Sequence, residues 1–234
     1  MTKQKRFVLF LLFFFLAVVG LFFGGGAFYQ AQKAKAVDTG ALLFSALEEM
    51  ESRSSYRYNL KATLRLRNLK TAETNLHGEK DADGNFHVVG ELMDTRLEVF
   101  QFDSDHYRYS FSAKKWIALT DSPLPSNPVL QMLLEPTVNF TFRDTISSEC
   151  TDIKKENGHY VYQYTVIPKE GFHIADRYFT DLRYKLSVNG ENGRIEDAVI
   201  RGVSRTESEC ELTLCISFYD INKEFTLKPP KTDN

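Results

Sequence analysis

Side chains that could carry out chemistry are spread thinly along this chain of 234 residues. Histidine is the commonest metal-binding side chain, and the chain has five histidines. No two of them have the short spacing that brings imidazole groups together on one zinc ion. Structural roles are therefore expected for all five, and no metal site is predicted. They are His77, His87, His106, His159 and His173.

Two acidic stretches come nearer to known patterns. The sequence DADG at 81–84 begins like a calcium-binding loop, but its glycine comes two positions early and no suitable glutamate closes it. The sequence DSDH at 103–106 places carboxylates beside an imidazole between two strand-like segments, where polar turns are common. A hairpin turn is expected at the first stretch and a polar turn at the second.

The sequence contains no nucleophile motif. A G-x-S-x-G elbow is absent, and no cysteine accompanies a recognisable histidine and asparagine signature. The only run of glycines, at 24–26, lies within an apolar segment. No catalytic residue and no cofactor are predicted, and the chain is expected not to be an enzyme.

The three cysteines are too few for a disulfide-dense scaffold. Cys210 and Cys215 are an odd number of residues apart, so on one regular strand they would face opposite sides. A bridge from Cys150 to one of them is the more plausible pairing in an exported protein, although nothing in the sequence fixes it.

The N-terminus predicts a membrane anchor. Lys3, Lys5 and Arg6 precede an uncharged run from Phe7 to Phe28, which is long enough for a helix to cross a bilayer. The basic cluster at the start favours a cytoplasmic N-terminus and an exported C-terminal part. We expect a single-pass protein of the cell membrane, with residues 1–36 as tip, signal-anchor and linker and residues 37–234 as one extracytoplasmic domain.

Cleavage of this segment is the alternative. The sequence AKA at 34–36 offers an A-x-A pattern, but it lies well beyond the apolar run, which itself exceeds the usual signal-peptide core. An uncleaved anchor is favoured. The exported part has nearly balanced charges and no long basic block, so nucleic acid is not an expected partner.

Strict alternation of apolar and polar residues begins at Tyr56 and continues to Arg67. This period of two predicts a strand with one buried and one solvated face. The same pattern recurs between turn signals, which predicts an antiparallel meander. The segments are 86–88, 107–111, 160–166, 184–188 and 212–218.

Helices are few. Asp38 and Thr39 can cap a helix that ends near Ser54, and Asn127 can cap a short one running from Pro128 to Glu135. A third helix is expected between Phe172 and Leu182. The basic residues of the first strand, Arg57, Lys61, Arg65 and Arg67, could form a patch for anionic headgroups or be an ordinary solvated face.

Five short phrases occur along the chain in a fixed order. They are ALEEM at 46–50 with SYR at 55–57, KW at 115–116, NP at 127–128 with its leucines, YVY at 160–162 after Asn-Gly, and FYDIN at 218–222 with Pro229-Pro230. In this order they resemble the LolA-like exported lipoprotein carriers of the LppX and LprG type. The chain lacks the lipobox cysteine of the lipoprotein members, and a helix would anchor it instead.

The resemblance implies an α+β fold: a curved antiparallel half-barrel whose concave face is covered by helices, preceded here by one transmembrane helix. It also implies a cavity for acyl chains. Candidate cavity residues are the inward-facing positions of the strands and of the short helix. These are Tyr58, Leu60, Leu64, Phe86, Val88, Tyr107, Tyr109, Trp116, Leu130, Leu133, Tyr162 and Tyr164.

Two functions fit this fold. The first is non-catalytic binding of a lipid or other hydrophobic ligand, with membrane lipid or lipoprotein acyl chains as partners. The second is an envelope protein-interaction or sensor module in which the protein's own side chains fill the core. An open apolar groove would favour the first and a sealed concave face the second. Trp116, the single tryptophan, is expected to be a core anchor or a residue at the cavity mouth.

Overall fold

The computed structural model describes residues 38–66, 71–103, 105–119, 128–142, 144–169, 178–206 and 210–232. Eleven strands in this part of the chain form one sheet. They are β1 (Tyr56–Leu66), β2 (Ala72–Lys80), β3 (Phe86–Leu92), β4 (Thr95–Phe102), β5 (Asp105–Ser110), β6 (Lys115–Ala118), β7 (Thr145–Glu156), β8 (His159–Pro168), β9 (Phe179–Asn189), β10 (Ile195–Ser204) and β11 (Cys210–Tyr219).

The sheet consists of two meanders joined through the first and last strands. Its order is β6-β5-β4-β3-β2-β1-β11-β10-β9-β8-β7, and every pairing in it is antiparallel. Inner-face side chains from strands as distant as β4 and β8 belong to one hydrophobic core. A large open sheet of this kind, with few helices, is consistent with the predicted curved half-barrel.

The alternation predicted for β1 is confirmed from Tyr56 to Ala62. Tyr56, Tyr58, Leu60 and Ala62 are buried, whereas Asn59 and Lys61 are exposed and Arg57 is half-buried. The turn predicted at 81–84 joins β2 to β3, with Gly84 at a positive φ of 87° that a glycine adopts without strain. The period of two therefore assigns the two faces of the sheet correctly here.

Helices pack on the inner face. Helix α1 (Thr39–Ser52) buries Leu43, Ala46, Leu47 and Met50 in the core. Helix α2 (Pro128–Leu134) starts at the predicted proline and is followed by a 3₁₀ helix, Pro136–Phe140. The predicted cap, Asn127, lies outside the described residues.

The third predicted helix is wrong where it overlaps the described residues, because Phe179 to Leu182 belong to β9. Phe179 and Leu182 are both buried although they are three residues apart, which is a helical spacing. A bulge in β9 produces this spacing. Asp181 has a φ of 52°, and the register with β10 shifts between Arg201 and Val203.

Residues 1–37, which contain the predicted anchor, lie outside the described part of the chain. Of the helices in the described ranges, none is long and apolar enough to cross a membrane. The anchor and the division at residue 36 therefore stay predictions. From Gly40 onward the chain forms one compact unit.

The structure does not contain the bridge suggested for Cys150, since all three cysteines are free. Cys150 lies in β7 at the edge of the sheet, four strands away from β11, which carries the other two. A disulfide requires Cα atoms within about 7 Å of each other. Cys210 is buried and Cys215 exposed, so the prediction that they face opposite sides is confirmed.

Acidic residues lie next to two of the basic residues of β1. Arg57 Nε lies 3.0 Å from a carboxylate oxygen of Glu79, and its Nη1 lies 2.8 Å from one of Asp220. Arg65 stands directly opposite Glu211 in the ladder. These pairs favour an ordinary solvated strand face over a patch for anionic headgroups, although Lys61 stands opposite Asn75 and Cys215 and Arg67 lies outside the described residues.

The carboxyl group of Asp220 makes the stability of the fold depend on pH. Hydrogen bonds from Lys223 and Arg57 hold the pKa of its carboxyl below the usual range. The pKa of Asp220 is therefore lower in the folded protein than its value of about 4 in the unfolded chain. The stabilisation that the two hydrogen bonds provide is present above about pH 4 and is lost as the pH falls through the folded-state pKa. The difference in urea midpoint between the parent and Asp220→Asn should thus be largest near neutrality and shrink below about pH 4. A constant difference from pH 7 to pH 2 would contradict this.

Candidate ligand pocket

An apolar pocket of about 220 Å³ opens on the inner face, towards the ends of β2, β10 and β11 that lie next to α2. Among the described residues that line it, none is Asp, Glu, Lys, Arg or His. The lining comprises Ala62, Leu64, Ala72, Thr74, Met93, Met132, Leu133, Tyr178, Phe179, Ser204, Thr206, Cys210, Leu212 and Leu214.

Small side chains at paired positions on neighbouring strands leave the space that the pocket occupies. Ala62 lies between Leu214 on β11 and Thr74 on β2, and Leu64 pairs with Ala72. Two alanines on adjacent strands leave space that larger residues would fill. The pleat places these residues on the same face as the core tyrosines, so the pocket continues the core's apolar surface.

Helix α2 covers the pocket and is held by tyrosine hydroxyls from the sheet. Met132 and Leu133 line the pocket. The hydroxyl of Tyr58 donates to the carbonyl oxygen of Leu134 at 2.7 Å, one of the carbonyls left unpaired at a helix end. Lys80 of β2 also pairs with Glu135, just beyond the helix. The cover is thus fixed to β1 and β2 by polar contacts at its C-terminal end.

Further hydroxyl contacts hold the 3₁₀ helix that follows α2. Tyr56 Oη lies 3.2 Å from Thr137 Oγ1, and the Tyr184 hydroxyl donates to the carbonyl of Asn139 at 3.0 Å. Asn139, which is fully buried, donates to the carbonyls of Met132 and Pro136. Burial raises the pKa of Tyr56 and of Tyr58 well above the ordinary tyrosine value, so both hydroxyls keep their protons at neutral pH.

Below the pocket the inner face is filled by the protein itself. Tyr56, Tyr58, Tyr162 and Tyr184 are among the largest fully buried side chains. The ring of Tyr58 lies so close over Gly78 that a Cβ at that glycine would overlap it. The tyrosines thus pack the core and hold the helical cover, and their hydroxyls explain why tyrosine stands at these positions.

The structure divides the predicted cavity residues into three sets. Leu64 and Leu133 line the pocket. The second set lies in the core or packs against it: Tyr58, Leu60, Phe86, Val88, Tyr162 and Tyr164. The side chain of Leu130 lies outside the described residues. Whether any of these contacts a ligand stays a prediction.

The third set lies on the other face of the sheet. Tyr109 pairs with Trp116, and Tyr107 pairs with Ala118, at positions one residue away from the inward-facing ones. Trp116 is half-buried against the rings of Phe100, His87 and Tyr109, with centroids 5.4–6.5 Å apart. Trp116 is therefore neither in the core nor at the pocket, and it belongs to an outer aromatic cluster on β3 to β6.

Sequence reasoning missed most of the pocket wall. Met93 lies in the β3–β4 turn, Tyr178 precedes β9, Ser204 ends β10, and Thr206 lies two residues beyond it. Cys210, the buried cysteine, completes the wall on β11. The only available signal was the alternation of β11, which put Cys210 and Leu212 on the same face. In the described part of the chain, no cluster of His, Cys, Asp or Glu could hold a metal ion.

Comparison with known proteins places the fold. No family model matches the sequence, and no curated protein matches it. The chain is similar in structure to the lipoprotein LppX of Mycobacterium tuberculosis, with 12% identity, a TM-score of 0.54, and coverage of 82% of this chain and 100% of LppX. It is also similar to LprF of Mycobacterium bovis, with 10% identity, a TM-score of 0.50, and coverage of 81% and 95%.

These similarities define the class of fold. The chain has the LolA-like fold of the LppX type, as the sequence resemblance predicted. At identities this low the fold alone is shared, and ligand and function have to be argued from the pocket.

Proposed function

We propose that the exported part of this chain binds a lipid or another hydrophobic ligand without transforming it. In this proposal the N-terminal apolar segment tethers it to the outer face of the cytoplasmic membrane. The observation that carries the proposal is the pocket of about 220 Å³ on the inner face, which the described residues line without a charged side chain. Burial of an acyl chain there is favourable by roughly 0.8 kcal/mol per methylene.

The surroundings of the pocket support binding without catalysis. In the part of the wall that the structure describes, Cys210 is the one nucleophilic side chain besides hydroxyls, and no histidine or carboxylate accompanies it. This part of the lining can bury an apolar group but offers no general base to activate a nucleophile. A tether would hold the pocket near the bilayer and raise the effective concentration of lipid or lipoprotein acyl chains.

Lipid carried through purification tests this function. Residues 37–234, expressed in the envelope of a bacterial host, should retain an acyl-chain compound that native mass spectrometry detects as a discrete added mass. The same preparation, stripped of lipid, should bind a fluorescent fatty acid. A protein that is always free of lipid and also fails to bind the fluorescent probe would count against the proposal.

A protein-interaction or sensor module is the second candidate, and the filled centre of the sheet favours it. The fully buried Tyr56, Tyr58, Tyr162 and Tyr184 fill part of the inner face with the protein's own side chains. In that case the fold would act as a rigid platform for an envelope protein. Crosslinking in cells should then recover one protein partner in stoichiometric amounts from a preparation that contains no lipid.

A further inference from the structure

We propose that the pocket accepts one unbranched alkyl chain and excludes ligands that must insert two or more. This inference deepens the proposed lipid-binding function and rests on it. It predicts that fatty acids and single-chain lysolipids bind in the pocket and that diacyl and triacyl lipids do not. Three features of the pocket carry it, namely its volume, its depth and the chemistry of its mouth.

The volume limits the number of chains. Drug-sized ligands usually occupy pockets of about 300–1,000 Å³, whereas this pocket holds about 220 Å³. A methylene group is close in size to a water molecule, whose share of liquid volume is about 30 Å³. The pocket therefore has room for about seven such groups, enough for the end of one chain. Two chains side by side would each enter by only three or four groups.

The register of the strands limits the depth. Along β11 the wall runs from Cys210 through Leu212 to Leu214. Four residues of strand correspond to roughly 13 Å. One step further into the sheet stand Leu60 and Ile216, paired with each other and almost fully buried. The pocket is thus a short blind slot that ends on packed core.

The mouth leaves a headgroup in solvent. Met93 and Tyr178, at the edge of the pocket, are 50% and 38% exposed. The polar side-chain groups of the described lining are the hydroxyls of Thr74, Tyr178, Ser204 and Thr206 and the thiol of Cys210, and this part of the lining offers no Lys, Arg, Asp or Glu side chain that would select an ionic headgroup. Discrimination between lipids should therefore follow the number and length of chains and not the charge of the headgroup.

Two adjacent residues of β2 provide a matched pair of variants. Ala72 lines the pocket, whereas Glu73 is exposed on the opposite face of the same strand. Ala72→Phe places a ring in the slot near its mouth, and Glu73→Phe places the same ring outside. Both positions are near the end of a strand, where a larger side chain is tolerated better than in the core.

Photolabelling of the full-length chain in lipid nanodiscs tests the proposal. The probes are a ten-carbon fatty acid and a diacyl phosphatidylcholine, each with a diazirine at the same distance from a chain end. We expect the fatty acid to label peptides containing Met132 or Leu212 at least tenfold more than the diacyl probe does. Ala72→Phe should lower that labelling at least tenfold, and Glu73→Phe should change it less than twofold. Labelling of the disc lipids confirms probe activation in every arm.

The outcomes separate this inference from the function on which it rests. Equal or stronger labelling of the pocket peptides by the diacyl probe would overturn the single-chain proposal and leave lipid binding intact. Unchanged fatty-acid labelling in Ala72→Phe would overturn the assignment of this pocket as the site. Absence of labelling by both probes, with active disc controls, would overturn the proposed function as well.

Discussion

Replacing Asp81 by alanine is expected to lower the free energy of unfolding by roughly 3–5 kcal/mol, because the substitution leaves several buried N–H groups without an acceptor. The Asp81 carboxylate is 1% exposed. It accepts hydrogen bonds at 3.0–3.1 Å from the backbone amides of Asp83, Asn85 and Leu227 and from the Asn85 side chain. The bond from Leu227 reaches across 146 residues and attaches the C-terminal segment to the β2–β3 turn.

Urea unfolding of residues 37–234 measures this effect, and the neighbouring carboxylate supplies the control. Asp83 is exposed in the same turn, so Asp83→Ala should change stability by less than about 0.5 kcal/mol. Asp81→Asn should fall between the two, since an amide keeps one oxygen but turns a donor towards one of the bound N–H groups. The amide of Leu227 should exchange with solvent much faster in Asp81→Ala. Equal stabilities of Asp81→Ala and Asp83→Ala would contradict the argument.

The local structure around Asp81 shows what the sequence can predict. A hairpin turn at 81–84 follows from turn chemistry, and β1 follows from six consecutive alternations, because both signals involve residues close together in the sequence. The bond between Asp81 and Leu227 has no such local signal. Likewise β9 was misread at its start, because the bulge at Asp181 replaces the period of two by a spacing typical of a helix.

The pocket was predictable only in part, for a different reason. Alternation divides a strand into two faces but does not say which face meets the core. Tyr107 and Tyr109 of β5 alternate as a buried face would, yet they join Phe100 and Trp116 on the outer side. The pocket also depends on small residues such as Ala62 and Ala72, and space left by missing side-chain atoms is visible only after the strands are paired.

Gly78→Val carries the second large expected effect and tests how the sheet holds the cover of the pocket. Valine normally favours a strand over glycine, and Gly78 stands within β2. Here, however, a Cβ would overlap the ring of Tyr58, whose hydroxyl holds the end of α2. Moving the ring costs about 1–3 kcal/mol of overpacking strain and also sacrifices the hydrogen bond, so we expect a loss of roughly 3 kcal/mol.

A double-mutant cycle isolates this contact. Tyr58→Phe alone removes only the hydroxyl and should cost roughly 1 kcal/mol. In a Tyr58→Leu background the overlap is gone, so adding Gly78→Val should cost less than about 0.5 kcal/mol or even stabilise the strand. Asn75→Val, on the exposed face of β2, controls for strand propensity and should be neutral or slightly stabilising. If Gly78→Val cost the same with and without the Tyr58 ring, the ring would not be the reason for glycine at this position.

The contact between Gly78 and the Tyr58 ring should also affect ligand binding. Labelling of the α2 peptide that contains Met132 by the fatty-acid probe should differ between Gly78→Val and the parent, because the helix that covers the pocket has lost its hydrogen bond to Tyr58 on β1.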